Sequence, residues 1–278
     1  MERVGIIQMT SGPDPQKNLM WIRQQVAELA AKGAKWVLTP ENALVFGQTQ
    51  DYHRHAEPLG HGELQQQLAQ IAKEYNVWLL IGSMPIRRDN GVTTTLLVFN
   101  SNGQLVEHYD KLHMFDVDVA DSHKRYRESD TFTAGNRIVV CDTPFATLGM
   151  SICYDVRFPP LYSELVRRGA QILLVPAAFT AVTGKAHWQT LLQARAIETQ
   201  CWVVAVNQTG THPCGRETWG HSMVIDPWGR IVLQLGGSVE SQVVDIDLKQ
   251  VDEVRAAMPV DQHSRFQNQF QIRAEYDN

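Results

Sequence analysis

FATLGMSICYDVRFPPLYSELVRRGAQILLVPAAF, residues 145–179, is the stretch whose reading decides the fold. FATLGMSIC (145–153) is apolar and reads as a strand. Two prolines, Pro159 and Pro160, then introduce LYSELVRRGA (161–170), a helical pattern with Gly169 near its end. QILLVPAAF (171–179) is a second apolar strand. Strand, helix and strand in succession is the repeating unit of an α/β protein.

The same alternation continues on both sides. Downstream come the helix HWQTLLQARAIETQ (187–200), the strand CWVVAVNQ (201–208) and a hairpin, HSMVIDPWGRIVLQL (221–235), turning at Asp226–Gly229, followed by SQVVDIDL (241–248). Upstream, VGIIQM (4–9) reads as a strand, Asn18 to Ala31 as a helix closed by Gly33, and KWVLTPE (35–41) as a strand. ELQQQLAQIAKEY (63–75) is a second helix and VWLLIGS (77–83) a third strand; TTTLLVFN (93–100) and QLVEHYDK (104–111) flank the turn Ser101-Asn102-Gly103 as a hairpin. Each half thus runs strand, helix, strand, helix, strand, hairpin. Two sheets, each with a helix pair, can bury their inner faces against each other and leave the helices outside, as a four-layer α-β-β-α sandwich. No Gly/Ser linker separates the halves, and residues 1–278 are expected to form a single domain. The segment from Leu112 to Arg137 is polar and irregular, which in a compact domain points to function. The C-terminal AAMPVDQHSRFQNQFQIRAEYDN (256–278) lacks a clean period and is expected to lie across a partner or a sheet edge.

Composition narrows the function. The 278 residues are 44% hydrophobic and 20% charged, ordinary for a globular chain, and a formal net charge of −5 gives no electrostatic case for nucleic acid or an anionic membrane. A small-molecule ligand is expected. Glu2 and Arg3 precede only a short apolar run, so no export signal is expected and a cytoplasmic location is the default. The four cysteines, Cys141, Cys153, Cys201 and Cys214, share no CxxC spacing, which argues against a zinc ribbon or a thioredoxin-like motif.

Ligands of α/β sheets gather beyond the carboxyl ends of strands. Three reactive side chains are expected there: Glu41 after KWVLTP, Lys111 after QLVEHYD and Cys153 after FATLGMSI. A helix beginning at Cys153 and a nearby lysine would lower the thiol's pKa, and a carboxylate would accept its proton as the sulfur attacks. The backbone N–H of Tyr154 and the Lys111 ammonium are candidate donors to the oxyanion of an acyl-transfer intermediate. Taken singly, each residue has a plain alternative: a buried cysteine usually packs as a small hydrophobe.

Three motifs, TPE (39–41), YDKLHMFD (109–116) and SICYDVRFPPLY (151–162), closely resemble the nitrilase superfamily of carbon-nitrogen hydrolases, and the similarity runs from Val4 to about Phe266. The resemblance implies a Glu-Lys-Cys triad: Glu41 as general base, Lys111 stabilising the tetrahedral intermediate, and Cys153 as the nucleophile of an acyl-enzyme thioester. Glu128, in YRESDTFTAG, is the best match to a second glutamate that positions the lysine and the substrate. The resemblance also implies the α-β-β-α sandwich, a homodimer or larger homo-oligomer, and no metal or organic cofactor. TGKAHWQTLLQARAIETQCWVVAVNQTGTH (183–212), GHSMVIDPWG (220–229) and MPVDQH (258–263) look like the Nit branch of amidases. Members of that branch cleave the terminal amide of deaminated glutathione or 2-oxoglutaramate, with ammonia or an amine as the second product; ARAIETQC (194–201) leans toward the former substrate. N-carbamoyl amino acids are a further alternative, and a non-catalytic binding module of the same fold a different class.

Such 2-oxo acids carry a carboxylate, so the pocket needs a cation or oriented donors. Arg157 is the first candidate, against an ion pair with Asp155 or Glu41; Phe179, Thr180 and Thr183 are further candidates. The ten histidines show no metal-ligand spacing and invite a Cys-His hydrolase only weakly. His113 either lines the pocket mouth or packs at a strand end. Arg195 and Glu198, at i and i+3, are expected to pair with each other. Cys201 reads as core, and Cys214 as exposed and oxidisable.

Overall fold

The computed structural model describes residues 1–121, 123–266 and 271. The first half runs β1 (Glu2–Gln8), α1 (Pro15–Ala31), β2 (Trp36–Leu38), α2 (Thr49–His55), the two-residue β3 (Glu57–Pro58), α3 (Glu63–Tyr75), β4 (Trp78–Arg88), β5 (Gly91–Phe99) and β6 (Leu105–Asp110). A short ribbon, β7 (Asp116–Asp118) and β8 (Arg125–Arg127), leads through a 3-10 turn at Glu128–Asp130 to the second half. There follow β9 (Val140–Asp142), β10 (Thr147–Met150), a 3-10 turn at Cys153–Arg157, α4 (Pro159–Arg167), β11 (Ile172–Ala177), α5 (Ala181–Thr199), β12 (Trp202–Asn207), β13 (Thr209–Thr211) and β14 (Glu217–Trp219). The chain ends with β15 (Met223–Ile225), β16 (Ile231–Gln234), β17 (Glu240–Ile246), α6 (Lys249–Ala257) and α7 (Val260–His263).

The strands form two main sheets, ordered β17-β1-β2-β4-β5-β6 (with β3 beside β4) and β16-β15-β12-β11-β10-β9. Inner faces of both contribute to one apolar core: Val4, Ile6, Trp36 and Leu80 from the first sheet pack with Leu148, Met150, Leu174 and Val204 from the second. On the outer face of the first sheet, α1 and α3 bury Leu19, Ile22, Val26, Leu68 and Ile71 against Ile7, Val37, Leu79 and Ile81. On the second, α4 and α5 bury Leu161, Leu165, Trp188 and Leu192. This is the expected α-β-β-α sandwich.

Local chemistry accounts for the helix ends. Asp14 caps α1, its Oδ1 accepting from the N–H groups of Gln16 and Lys17 at 3.0 and 3.4 Å, and Pro15 supplies a preset φ at the first helical position. The chain leaves α1 through Gly33, whose φ of 88° suits a residue without Cβ. Each large aliphatic side chain on the buried face of α1 contributes roughly 1.5–3 kcal/mol by leaving water.

Several elements differ from the sequence reading. SQVVDIDL does not stay with the second half: β17 crosses to pair antiparallel with β1, with Glu2 opposite Ile246 and Gln8 opposite Glu240. The strand over 145–153 is shorter, Thr147–Met150, and β9 pairs beside it. The 112–137 segment is not wholly irregular but holds the β7–β8 ribbon. Of 256–278, residues 267–270 and 272–278 lie outside the described residues, so the expectation of a partner or sheet-edge contact is untouched there; Gln200 Nε2 does donate to Met258 O at 2.6 Å. Among the described residues no helix is long and apolar enough to cross a membrane.

Gly82 fixes one wall of the interior. A Cβ there would run into the carbonyl oxygens of Thr39 and Pro40 and the ring of Pro176, where the two sheets meet beside Glu41. The same glycine donates its N–H to Thr39 Oγ1 at 2.9 Å. Gly82→Ala should therefore push the 39–41 segment off its position. The expected outcome is a loss of about 2–4 kcal/mol in denaturant unfolding, in the range of strained core substitutions, together with a fall in catalytic turnover.

Candidate active site

Each expected triad residue stands just beyond the carboxyl end of a strand: Glu41 after β2, Lys111 after β6 and Cys153 after β10. They meet where those ends converge between the sheets. Lys111, 1% exposed, donates from Nζ to Glu41 Oε1 at 2.7 Å and to both oxygens of Glu128 at 2.8 Å. Glu41 Oε2 accepts from the N–H of Ala178, just past β11, at 2.8 Å. Glu128 Oε2 also accepts from the N–H of Phe115 at 2.6 Å.

Burial alone would strip the Lys111 ammonium of its proton, but the charges of Glu128 and Glu41 outweigh that cost and hold the amine protonated well above its ordinary range. Burial pushes the Glu128 carboxyl up, against the pull of Lys111. Burial, followed by the charge of Glu41, also pushes the Cys153 thiol well up, although Lys111 and the Ala178 N–H oppose it. This corrects the expectation of a thiol acidified by a helix. Cys153 opens only a 3-10 turn, and α4 begins six residues later at Pro159. That upward shift favours a neutral thiol beside the Glu41 carboxylate.

The turn is strained and braced. Cys153 has φ of 49°, a left-handed conformation unfavourable for a residue with a side chain. Asp155, fully buried, holds it in place: Oδ2 accepts from Ile152 N at 2.9 Å and Tyr109 Oη at 2.7 Å, while Oδ1 accepts from His113 N at 3.1 Å and lies 2.7 Å from His113 Nδ1. Tyr109 and His113 flank Lys111 in sequence, so one carboxylate ties the Cys153 turn to the lysine segment. His113 is accordingly a brace, its ring stacked on Phe158 at 3.6 Å. Arg195 pairs with Glu198 at 2.5 Å as expected, and also donates from Nε to Val156 O at 2.9 Å, supporting the same turn from α5.

Behind Glu41, Gln208 donates to its backbone carbonyl at 2.9 Å and to Ser11 Oγ at 2.7 Å; Asn207 accepts from Phe179 N at 2.9 Å. These polar groups at the end of β12 are buried and satisfied. They bridge the two sheets at the edge where the site lies.

An open cleft leads to Cys153, its walls including Phe46, Phe115, Tyr126, Phe179, Thr183 and Arg216. Thr180, also on its wall, caps α5, its Oγ1 accepting from Thr183 N at 3.3 Å. Tyr154 lines the cleft as well. Arg157 does not form the ion pair with Asp155 or Glu41 that was the alternative to a substrate contact. Asp155 and Glu41 are committed elsewhere, and the guanidinium lies over the rings of Phe179 and Tyr154 at 5.2 and 5.8 Å, 3.3 Å from His187 Nδ1. Sequence reasoning missed Asp155 as a brace, Ala178 N as a donor to Glu41, and Arg216 in the cleft wall. Asp155 was visible only as a neighbour of the cysteine; the others carry no local sequence signal.

The fold and this cluster define a hydrolase of carbon-nitrogen bonds. The carbon-nitrogen hydrolase family profile matches residues 3–256, and the chain belongs to that family. It is 48% identical over 266 residues to the deaminated glutathione amidase of Yersinia enterocolitica, covering 95% of this chain and 93% of that protein. It is 38% identical to the protein of the same name from Dictyostelium discoideum, covering 96% and 95%. Among solved structures, the NitFhit protein of C. elegans matches with a TM-score of 0.87 at 37% identity, over 95% of this chain and 65% of that one. Nit3 of Saccharomyces cerevisiae, a member of branch 10 of the nitrilase superfamily, matches with a TM-score of 0.86 at 27% identity, over 95% and 97%.

Two measurements check the bracing. Asp155→Asn keeps the shape but removes the charge that organises Tyr109, His113 and Ile152 N; turnover should drop at least about tenfold, with unfolding free energy lowered by about 1–3 kcal/mol. Wild-type turnover in Asp155→Asn would show that the turn holds itself.

His212 supplies a pH test. Its ring, stacked on Phe46 at 3.7 Å, lies 2.8 Å from both Ser11 O and Thr218 Oγ1, and burial lowers its pKa to about 4. The folded state thus favours neutral imidazole. This contribution is complete above the unfolded value near 6.5 and is lost as pH falls from there through about 4, on the order of 3 kcal/mol in all. Urea melts across that range should show a shallower acid slope for His212→Asn than for wild type.

Proposed function

We propose that this chain is an amidase acting on the linear amide of a small 2-oxo acid, most specifically deaminated glutathione. The observation that carries the reading is the buried Lys111 ammonium shared by Glu41 and Glu128 beside Cys153 on its strained turn. The amidase names of relatives at 38–48% identity supply the substrate class.

Glu41 takes the thiol proton as Cys153 Sγ attacks the amide carbonyl carbon. The negative oxygen of the tetrahedral intermediate is met by the Tyr154 N–H and the Lys111 ammonium. Glu41 then returns the proton to the departing nitrogen, the C–N bond breaks, and a thioester remains. A water, losing its proton to Glu41, attacks the thioester; the C–S bond breaks, the sulfur recovers its proton, and the acid is released. Glu128 holds Lys111 in line through both steps.

Deaminated glutathione contains a secondary amide, so its products are 2-oxoglutarate and cysteinylglycine. Ammonia is the second product only for the primary amide 2-oxoglutaramate. The 2-oxo-acid carboxylate is assigned to the amino end of α5, where Thr180, Thr183 and Phe179 line the cleft and Arg157 stands behind Phe179. A single catalytic unit, a cytoplasmic location and a homodimer complete this reading. Exposed Ile197, Trp228, Met258 and Val260 offer apolar surface for the dimer.

The geometry does not favour a Cys-His hydrolase, because His113 is committed to Asp155 and His187 lies against Arg157. Glu41→Gln, Lys111→Ala and Cys153→Ala should each lower kcat by about 10³-fold or more. Substitution of His113, His123, His187, His212 or His221 should not reach the level of Cys153→Ala. Comparing kcat/KM for deaminated glutathione, 2-oxoglutaramate and an N-carbamoyl amino acid, with products identified by mass spectrometry, tests the substrate. Negligible turnover of all three would overturn the reading.

A further inference from the structure

Among the described residues, Arg216 is a cation without a paired acid in the wall of the cleft. Other arginines are spent on ion pairs: Arg3 with Asp245, Arg88 with Asp110, Arg127 with Asp118, Arg195 with Glu198. Among the described residues, Arg216 makes neither an ion pair nor a side-chain hydrogen bond. Its guanidinium lies over the rings of Phe46 and Tyr126, at 5.7 and 6.0 Å from their centroids. A guanidinium laid on aromatic faces keeps its N–H edges available for bidentate contact with a carboxylate.

Its position is held from behind. The Arg216 carbonyl accepts from His212 N at 2.8 Å, and the buried His212 ring is stacked on the same Phe46. β13 and β14 close this loop as a hairpin, Thr211 opposite Glu217. Around the cleft, with Arg127 paired to Asp118, Arg125 and Arg216 face one exposed acid, Glu217, outside the Glu41 and Glu128 pair. The outer cleft therefore favours an anionic group.

We propose that Arg216 determines specificity on the leaving-group side of the cleft by binding the carboxylate at the far end of the departing amine. The inference rests on the amidase reading. Deaminated glutathione carries two carboxylates, one on each side of the scissile amide. Beside the cleft, Arg157 lies on Phe179 and Tyr154 and Arg216 on Phe46 and Tyr126, while Arg195 on Tyr162 supports the Cys153 turn. With the acyl carboxylate assigned to the amino end of α5, Arg216 in the cleft wall matches the glycine carboxylate. 2-Oxoglutaramate, whose leaving group is ammonia, has nothing to present to Arg216.

The test is steady-state kinetics with deaminated glutathione, its C-terminal glycinamide analogue and 2-oxoglutaramate, using wild type, Arg216→Lys and Arg216→Met. Wild type should prefer the acid to the glycinamide by at least about tenfold in kcat/KM, mostly through KM. In Arg216→Met that preference should fall below about threefold, with Arg216→Lys between, and the ratio of deaminated glutathione to 2-oxoglutaramate should fall in parallel. A wild-type enzyme indifferent to the glycinamide overturns the proposal without any variant. So does an Arg216→Met enzyme that keeps the full preference. Absence of wild-type turnover on both unmodified substrates would instead overturn the amidase reading itself.

Discussion

One buried ammonium organises this protein. Lys111 is taken out of water between two carboxylates, and a lysine so placed is costly unless its partners are held at contact distance. Those partners come from distant parts of the chain: Glu41 from the end of β2, Glu128 from the turn after the β7–β8 ribbon. With one cation and two carboxylates, the cluster does not welcome a further negative charge, which is why burial and Glu41 together keep the Cys153 sulfur protonated. Proton transfer then has to accompany attack. On the proposed mechanism, the positive charge that meets the oxyanion is in place beforehand, so the site would not reorganise when that charge appears.

Holding the cluster demands that two sheets stay aligned at one edge. The apolar interior sets their separation but is nondirectional. Alignment falls to buried polar side chains: Gln208 between Ser11 and the Glu41 carbonyl, Asn207 on Phe179 N, and Asp155 between the lysine segment and the cysteine turn. Each has its hydrogen-bonding partners met inside the protein. Losing one would leave another buried group unpaired, so these contacts specify a single arrangement of the sheets more than they add net stability.

The alternation of strands and helices was legible because each element carries its own pattern, as in the apolar run of β11 or the caps around α1. The turns of the β5–β6 and β15–β16 hairpins were legible from their Asn-Gly and Pro-Trp-Gly sequences. The destination of β17 was not, since an apolar alternation says that a strand forms and not which strand it joins. Glu41, Lys111 and Cys153 were found from their places at strand ends and from the motifs around them. Sequence proximity offered Asp155 as one alternative partner for Arg157, whereas its carboxylate reaches the tyrosine and histidine that flank Lys111. The helix credited with acidifying Cys153 starts too late, at Pro159, to touch the thiol.

The β7–β8 ribbon joins chemistry to recognition. Tyr126 lies in β8 and Glu128 opens the 3-10 turn that follows it. Glu128 reaches inward to Lys111, while Tyr126 packs against Phe115 and carries the Arg216 guanidinium. Phe115 completes the link, since its N–H donates to Glu128 and its ring also meets Tyr154. A ligand that settles the Tyr126 wall therefore settles the support of the carboxylate that aims Lys111. In a segment stabilised by few long-range hydrogen bonds, binding energy from a remote part of the substrate has a short physical route to the reacting centre.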